Sequence, residues 1–276
     1  MGRLELVTKE DVMIGHMVIR NGDYYDYPWR EAFASIRPIC NKFIFCECFS
    51  DKDNTWEELQ EMADADPAIV LIRGPWGDNF RVLAERTNQC INKARELGPD
   101  WHYQIQGDEI IHEDSLPHIV RLAHALPKGA GVKVHYHHFM GNYETEFDFV
   151  YESIVRMAHT SSAWHSTGDA CQLAGGRFVH DAPEIQVYHY GKVHEAVVAL
   201  RKEKDFQAMF TELGFPDPRL EEMAKAVGGV DYLYLFERSK KWKFQGAHPA
   251  VMQKRIEQAR QEGWLQYERR MPCKSE

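Results

Sequence analysis

Short apolar, β-prone runs alternate with amphipathic stretches of helical period over the first 130 residues, the pattern of a parallel sheet with helices on its faces. Met13 to Ile19 predicts the first strand. Behind Pro28, the residues Trp29, Ala32, Phe33 and Ile36 recur at helical spacing, and the Arg37-Pro38 step closes that helix before a strand over Lys42 to Phe49. Thr55 and Glu58 have the spacing of a capping box for a helix that carries Trp56, Leu59 and Met62 inward. A third strand, Ala68 to Ile72, precedes a helix from about Asn79 to Leu97 with Phe80, Leu83, Cys90, Ile91, Ala94 and Leu97 as its buried stripe and Gly98 as its C-terminal cap. The run WHYQIQGDE then reads as a strand ending at Asp108 and Glu109, and Ser115 caps a helix with Leu116, Ile119, Val120 and Ala123 facing in.

From Val193 onward the chain reads as mostly helical, with charge-rich runs LRKEKDF and RLEEMAKAV and a last helix near Pro249 to Glu262. The expected division is a sheet domain over 1–195 and a helical C-terminal extension over 196–276 packed on it. The 276 residues, 44% hydrophobic, suffice for one large α/β core, and no segment reaches the roughly 18 uninterrupted apolar residues of a membrane span. No export signal is legible at the N-terminus. Six cysteines without a CxxC pair predict reduced thiols in a cytoplasmic protein, with Cys46 and Cys48 packing on one strand face.

The formal charge of −9 opposes broad affinity for nucleic acid. Arg238, Lys240, Lys241 and Lys243 interleave with Trp242 and Phe244, a composition that can bind an anionic acceptor, a modified nucleic-acid base included, although a solvated helix end is the plainer account.

Adjacent carboxylates at a strand end are how a sheet edge presents a hard cation, Mg²⁺ or Mn²⁺, to substrate phosphates. Asp51 and Asp53 sit at a second strand end, the edge where open parallel sheets bind ligands, and can accept hydrogen bonds from a base or ribose or can equally serve as capping residues of a polar turn. His135 and His137 share a strand face with His138 beside them, which keeps a metal-dependent hydrolase open as an alternative, without an HExxH or Cys/His zinc spacing to support it.

Several runs, in order, resemble the nucleotide-sugar glycosyltransferases of the GT-A fold, specifically the family 2-like enzymes. They are Ile19-Arg20-Asn21, Ser50-Asp51-Lys52-Asp53-Asn54-Thr55, Asp100-Trp101 leading into Gln106-Gly107-Asp108-Glu109, His138-Phe139-Met140-Gly141-Asn142-Tyr143, Ser166-Thr167-Gly168-Asp169-Ala170 and His189-Tyr190-Gly191. The resemblance spans residues 13 to about 195. It implies a GT-A (Rossmann-like) mixed, mostly parallel sheet and transfer of a sugar from a UDP-linked or other nucleoside-diphosphate donor to a hydroxyl of a glycan or other acceptor. It further implies that Asp108 and His189 hold the divalent metal (Mn²⁺ or Mg²⁺) at the donor diphosphate. The family's first metal aspartate is Gln106 here, able to hydrogen-bond a ribose or a metal-bound water. Asp51 and Asp53 correspond to the base-reading site, while Arg20, Asn21, Arg73 and Asn88 fall near the nucleotide; a salt bridge explains either arginine as well. Asp169 corresponds to the base that deprotonates the acceptor in an inverting reaction, with Asp181 and Glu184 as rivals. His138, Asn142 and Asp181 fall on the acceptor side. A non-catalytic module that binds a nucleotide or glycan is the remaining alternative.

Overall fold

Strand β1 (Met13–Ile19) is apolar at every position but the buried His16, and helices cover both of its faces, as the centre of a parallel sheet requires. In the computed structural model, which describes residues 13–148, 151–161, 163–209 and 240–263, the chain continues through α1 (Trp29–Ile36), β2 (Lys42–Glu47), α2 (Thr55–Ala65), β3 (Ile69–Arg73), α3 (Arg81–Leu97), β4 (Trp101–Gln104), β5 (Glu109–Ile111) and α4 (Leu116–Ala125). A second half follows, more antiparallel: β6 (Ala130–Met140), β7 (Thr145–Phe147), β8 (Ser153–His159), the small β9 (His165–Ser166) and β10 (Leu173–Ala174) pair, and the long β11 (Phe178–Lys192). Helix α5 (Ala196–Met209), β12 (Lys241–Lys243) and α6 (Gln253–Glu262) complete the described elements.

The sheet is mixed, in the order β12-β7-β6-β8-β4-β1-β2-β3. Strands β3, β2, β1 and β4 run parallel, β8 joins β4 to β6 antiparallel, and β11 lies parallel to β6 on one side and antiparallel to β5 on the other. Side chains of the parallel strands alternate between two cores. Met13, Met17, Phe43 and Phe45 pack with Trp29, Ala32 and Ile36 of α1; Ile14, Ile44, Cys46 and Cys48 pack with Cys90 and Ala94 of α3. Gly98, with φ 93°, ends α3 in the left-handed conformation expected of it.

Four expectations change. The box predicted at Thr55 and Glu58 does not close: Thr55 Oγ1 accepts from Gly22 N at 2.9 Å and Glu58 pairs with Arg30, so both residues tie α2 to the loop after β1. Ser115 likewise caps nothing, its hydroxyl accepting from Gln186 N at 2.9 Å. The strand expected to end at Asp108 and Glu109 stops at Gln104, and Glu109 opens β5 after a turn. Lys241 to Lys243 form an edge strand on β7 rather than a helix end: Trp242 Nε1 donates to Glu146, and Phe244 enters an aromatic cluster with Phe139 and His248. Arg238 and the run RLEEMAKAV lie outside the described residues. No described helix is long and apolar enough to cross a membrane.

A Cβ at Gly15 would lie 2.5 Å from the Phe43 ring and 2.9 Å from Cys40 Sγ, between two filled core positions. Gly15→Ala is expected to destabilise the chain by about 1–3 kcal/mol through overpacking, read as a lower urea midpoint at unchanged m-value. An unchanged midpoint would show that this core gives way freely.

Candidate functional site

A cavity of about 420 Å³ opens at the carboxyl ends of β1, β2 and β4, with α5 across it. Such an edge is where the loops of a parallel sheet can converge on a ligand. One end of the cavity is built on Asn21, buried and held at φ 52°. Its Oδ1 accepts from the backbone N–H groups of Asp51 and Lys52 at 2.9 and 3.1 Å, its Nδ2 donates to Asp51 Oδ1 at 3.0 Å, and its own N–H donates to Ser50 Oγ at 2.8 Å. The left-handed backbone is tolerated because asparagine closes this local network. Arg20 Nη2 donates to the same Asp51 oxygen at 3.0 Å, and its guanidinium lies 5.6 Å from the Trp76 ring centre. The Asn21 hydrogen bond, with Arg20 and Lys52 adding to it against burial, holds the Asp51 carboxyl below the usual aspartate range. Asp51 itself is half exposed.

The other end is the turn Gln106-Gly107-Asp108 after β4. Glu109, beside Asp108 in sequence, points the opposite way, into the protein. Its carboxylate pairs with Arg156, accepts from Tyr136 Oη at 3.0 Å and from Gln106 N at 3.0 Å, and is 1% exposed against 0% for Arg156. Arg156 in turn donates to Tyr136 Oη at 2.7 Å and to the carbonyls of Ala170 and Cys171 at 3.2 and 2.7 Å. Against the effect of burial, Glu109 keeps this guanidinium charged. One ion pair therefore fixes both the Asp108 turn and the loop that carries Asp169. That loop turns through Gly168 and Ala170, both at φ 62°, and the Ala170 carbonyl also accepts from Gln104 Nε2 at 2.8 Å and Gln106 Nε2 at 3.4 Å. Ala170 lines the cavity; Asp169, next to it in sequence, is not among the lining residues, and its Oδ1 accepts from Cys171 N at 3.2 Å.

Asp108 Oδ2 lies 3.7 Å from His189 Nε2 and 3.4 Å from Lys202 Nζ. Burial alone would raise this carboxyl, but Lys202 and His189 together pull it well below the usual range, so it is ionised. His138 sets the imidazole behind it. Burial pushes His138 down to about 2, its Nε2 donates to the Tyr151 carbonyl at 2.9 Å, and its Nδ1 therefore accepts from His189 Nδ1 at 2.9 Å. The remaining nitrogen of His189 faces Asp108. A Cβ on Gly191 would sit 2.6 Å from both the Asp108 and the His189 atoms, so the close backbone approach there needs glycine.

Of the residues expected near a nucleotide, Arg20, Asn21, Asp51 and Gln106 line the cavity, as does Asp108. The others have tasks elsewhere. Asp53 accepts from the N–H groups of Asp23, Tyr24 and Thr55 at 2.9, 2.8 and 3.0 Å. Arg73 pairs with Glu47 at 2.6 Å between the Phe49 and Trp56 rings, and Asn88 clamps Ser166 through both amide atoms. Asn142 accepts from Glu144 N at 2.8 Å in a turn. Asp181 pairs with His135 at 2.9 Å; it faces Lys133 of β6 while His189 faces His138, five positions and so roughly 17 Å further along the sheet. Glu184 pairs with Arg121. His135, His137 and His138 separate to Asp181, Glu146 and His189, and no group of metal-binding side chains forms among the described residues. Sequence reasoning missed Tyr27, Trp76, Lys202, Asp205 and Phe206, all on the cavity wall. Lys202 lies in a charge-rich helical run, LRKEKDF, where nothing in the spacing marks one lysine as turned inward.

The donor set does not fit a protein-held divalent metal. Asp108 Oδ2 and His189 Nε2 converge, but Glu109 is committed to Arg156 and the Gln106 amide is turned to Ala170. A metal bound at about 2.1 Å to Asp108 Oδ2 would lie within about 5.5 Å of the Lys202 ammonium, a repulsion of about 6 kcal/mol or more at an effective dielectric of 20.

No protein-family model matches the chain, and no curated protein does. Among solved structures it is similar to S. aureus TarS, at 8% identity and a TM-score of 0.44 over 75% of this chain, and it spans 40% of that longer one. It is also similar to TarS 1-349 in complex with UDP, at 9% identity and a TM-score of 0.42 over 78% of this chain and 75% of that one. A candidate nucleotide-diphospho-sugar transferase from Desulfovibrio desulfuricans G20 gives 13% identity and a TM-score of 0.32 over 54% of this chain and 64% of that one.

Glu109→Gln leaves Arg156 as an uncompensated buried charge and is expected to cost about 3–5 kcal/mol, measured by denaturant unfolding. Four buried histidines give a pH signature. Burial lowers His16 to about 3, His138 to about 2 and His194 to about 4, and holds His102 well below its ordinary 6.5. The unfolded chain therefore takes up protons as pH falls through 6.5 while the folded chain does not, so stability present above that pH is lost below it, by up to about 1.4 kcal/mol per group per pH unit. The unfolding temperature is expected to drop steadily from pH 7 to pH 5 in calorimetry; a flat profile would mean that these imidazoles are protonated in the fold.

Proposed function

We propose that the chain is a glycosyltransferase that takes its sugar from a nucleoside-diphosphate donor, UDP-linked in this reading, and transfers it to an acceptor hydroxyl. The observation that carries the proposal is the polarity of one cavity: a hydrogen-bonding end at Asn21, Asp51 and Arg20, and an ion-paired end at Asp108 and Lys202, on a single sheet edge. At the first end the Asp51 carboxylate accepts the ring N–H of a uracil while Arg20 donates to a ring carbonyl, with Trp76 alongside. Gln106 meets the ribose. The diphosphate runs toward Lys202, and the sugar reaches the rim at Ala170.

Transfer requires the bond between the anomeric carbon and the phosphate oxygen to break as the acceptor oxygen bonds to that carbon. The electron pair of the broken bond leaves on the diphosphate, and the acceptor's proton goes to a carboxylate. We assign this proton to Asp169, whose neighbour Ala170 lines the cavity and is held by three hydrogen bonds to its carbonyl. A single carboxylate acting on the acceptor inverts the anomeric centre. The resemblance of the motif runs to family 2-like enzymes supports the same assignment, and the acceptor is a glycan or another hydroxyl compound.

Titration calorimetry with UDP, ADP, GDP and CDP checks the donor. UDP is expected to bind most tightly, and Asp51→Ala to weaken it by about tenfold, the value of one charge-assisted hydrogen bond. No binding of any nucleoside diphosphate would sink the proposal. With an active donor in hand, Asp169→Asn is expected to lower kcat by about 10²–10⁴ while donor affinity stays within a few-fold.

A further inference from the structure

A departing nucleoside diphosphate gathers negative charge as its bond to the sugar breaks, and the phosphate end of the cavity has to meet it. A divalent cation is the common solution, and this chain's donor set argues against one. Gln106 stands where a second carboxylate would be needed, and its amide is turned to the Ala170 carbonyl. Glu109 is spent on Arg156. What the cavity does hold beside Asp108 is a fixed positive charge.

Lys202 reaches that place from α5, on the far side of the chain from the strand-edge motifs. Its Nζ lies 3.4 Å from Asp108 Oδ2 and donates to the Gly191 carbonyl at 3.0 Å, with the Tyr27 ring centre 4.4 Å away. The side chain is 11% exposed, so the ammonium has been taken out of bulk water and set in one position. A lysine in so dry a place is expensive unless a partner charge holds it, and Asp108 is that partner. Asp108 thereby orients an ammonium instead of ligating a metal. His189, held at its Nδ1 by His138, faces the same carboxylate with Nε2 at 3.7 Å. Gly191 fits this arrangement, because only a residue without Cβ lets its carbonyl approach the ammonium beside Asp108 and His189.

We propose that Lys202 is the resident cation for the donor diphosphate and that nucleotide binding by this chain is metal-independent, the ammonium standing where a divalent ion would otherwise sit. The inference rests on the reading that the cavity takes a nucleoside diphosphate. In the complex a phosphate oxygen accepts an N–H of Lys202, and Asp108 keeps the ammonium aimed along the cavity floor. No part of the uracil end depends on it.

The test is calorimetry on the full chain with two probes, UDP and uridine, in EDTA and in Mn²⁺. UDP is expected to bind in EDTA with an affinity that Mn²⁺ changes by no more than about threefold. Lys202→Met is expected to weaken UDP by about tenfold or more and leave uridine unchanged, while Lys202→Arg restores most of the UDP affinity. UDP binding that appears only with Mn²⁺, or that Mn²⁺ tightens by about tenfold, overturns the assignment and leaves the nucleotide-sugar reading standing. Equal UDP affinity in the native chain and Lys202→Met overturns it too. Should Lys202→Met lose uridine as well, the comparison of EDTA with Mn²⁺ on the unaltered chain decides. Failure of the native chain to bind either probe in any medium defeats the nucleotide reading itself.

Discussion

The pair of Glu109 with Arg156 is the interaction on which the rest of the cavity depends. Both side chains are removed from water, and neither is stable there without the other. Apart from those they share with Tyr136 Oη, their remaining hydrogen bonds go to backbone that has to be held still: Gln106 N on one side, the Ala170 and Cys171 carbonyls on the other. A hydrophobic pair could fill the same volume but could not hold three backbone groups. The polar core is thus the hinge pin between the turn that presents Asp108 and the loop that presents Asp169.

Around that pin the cavity separates its tasks by charge. The Asn21 and Asp51 end is a network of neutral and singly charged groups closed on itself, half open to solvent. At the other end the Asp108 carboxylate lies within 4 Å of both the Lys202 ammonium and the His189 ring, mostly out of water. His138, kept neutral by its burial, adds no charge of its own there. The field at that end is therefore set by Asp108, with Lys202 and His189 against it.

The parallel half of the fold was legible because its first three strands are mostly apolar runs and each helix carries a clear stripe: β1, α1 and β3 fall within a residue of where periodicity puts them. The carboxylates were harder. Asp108 and Glu109 are neighbours with the same chemistry, and only the turn between β4 and β5 sends one to the cavity and the other to Arg156, a residue 47 positions later. Asp53 and Asn88 are polar at strand and helix positions that suit a ligand, yet backbone N–H groups and carbonyls claim them first. Lys202 was illegible for a different reason: its meaning comes from a contact made across 94 positions, and a helix with several charges offers no local sign of which one turns inward.

The span of these contacts also bears on how the cavity comes into being. Asn21 meets Asp51 across 30 positions, Glu109 meets Arg156 across 47, and Asp108 meets Lys202 across 94. Loop-closure entropy grows with each step, and contacts distant in sequence are the slow ones to form. On those grounds the Asn21 and Asp51 end can assemble from the first third of the chain, whereas the Asp108 and Lys202 end is a late product, closed only when α5 docks.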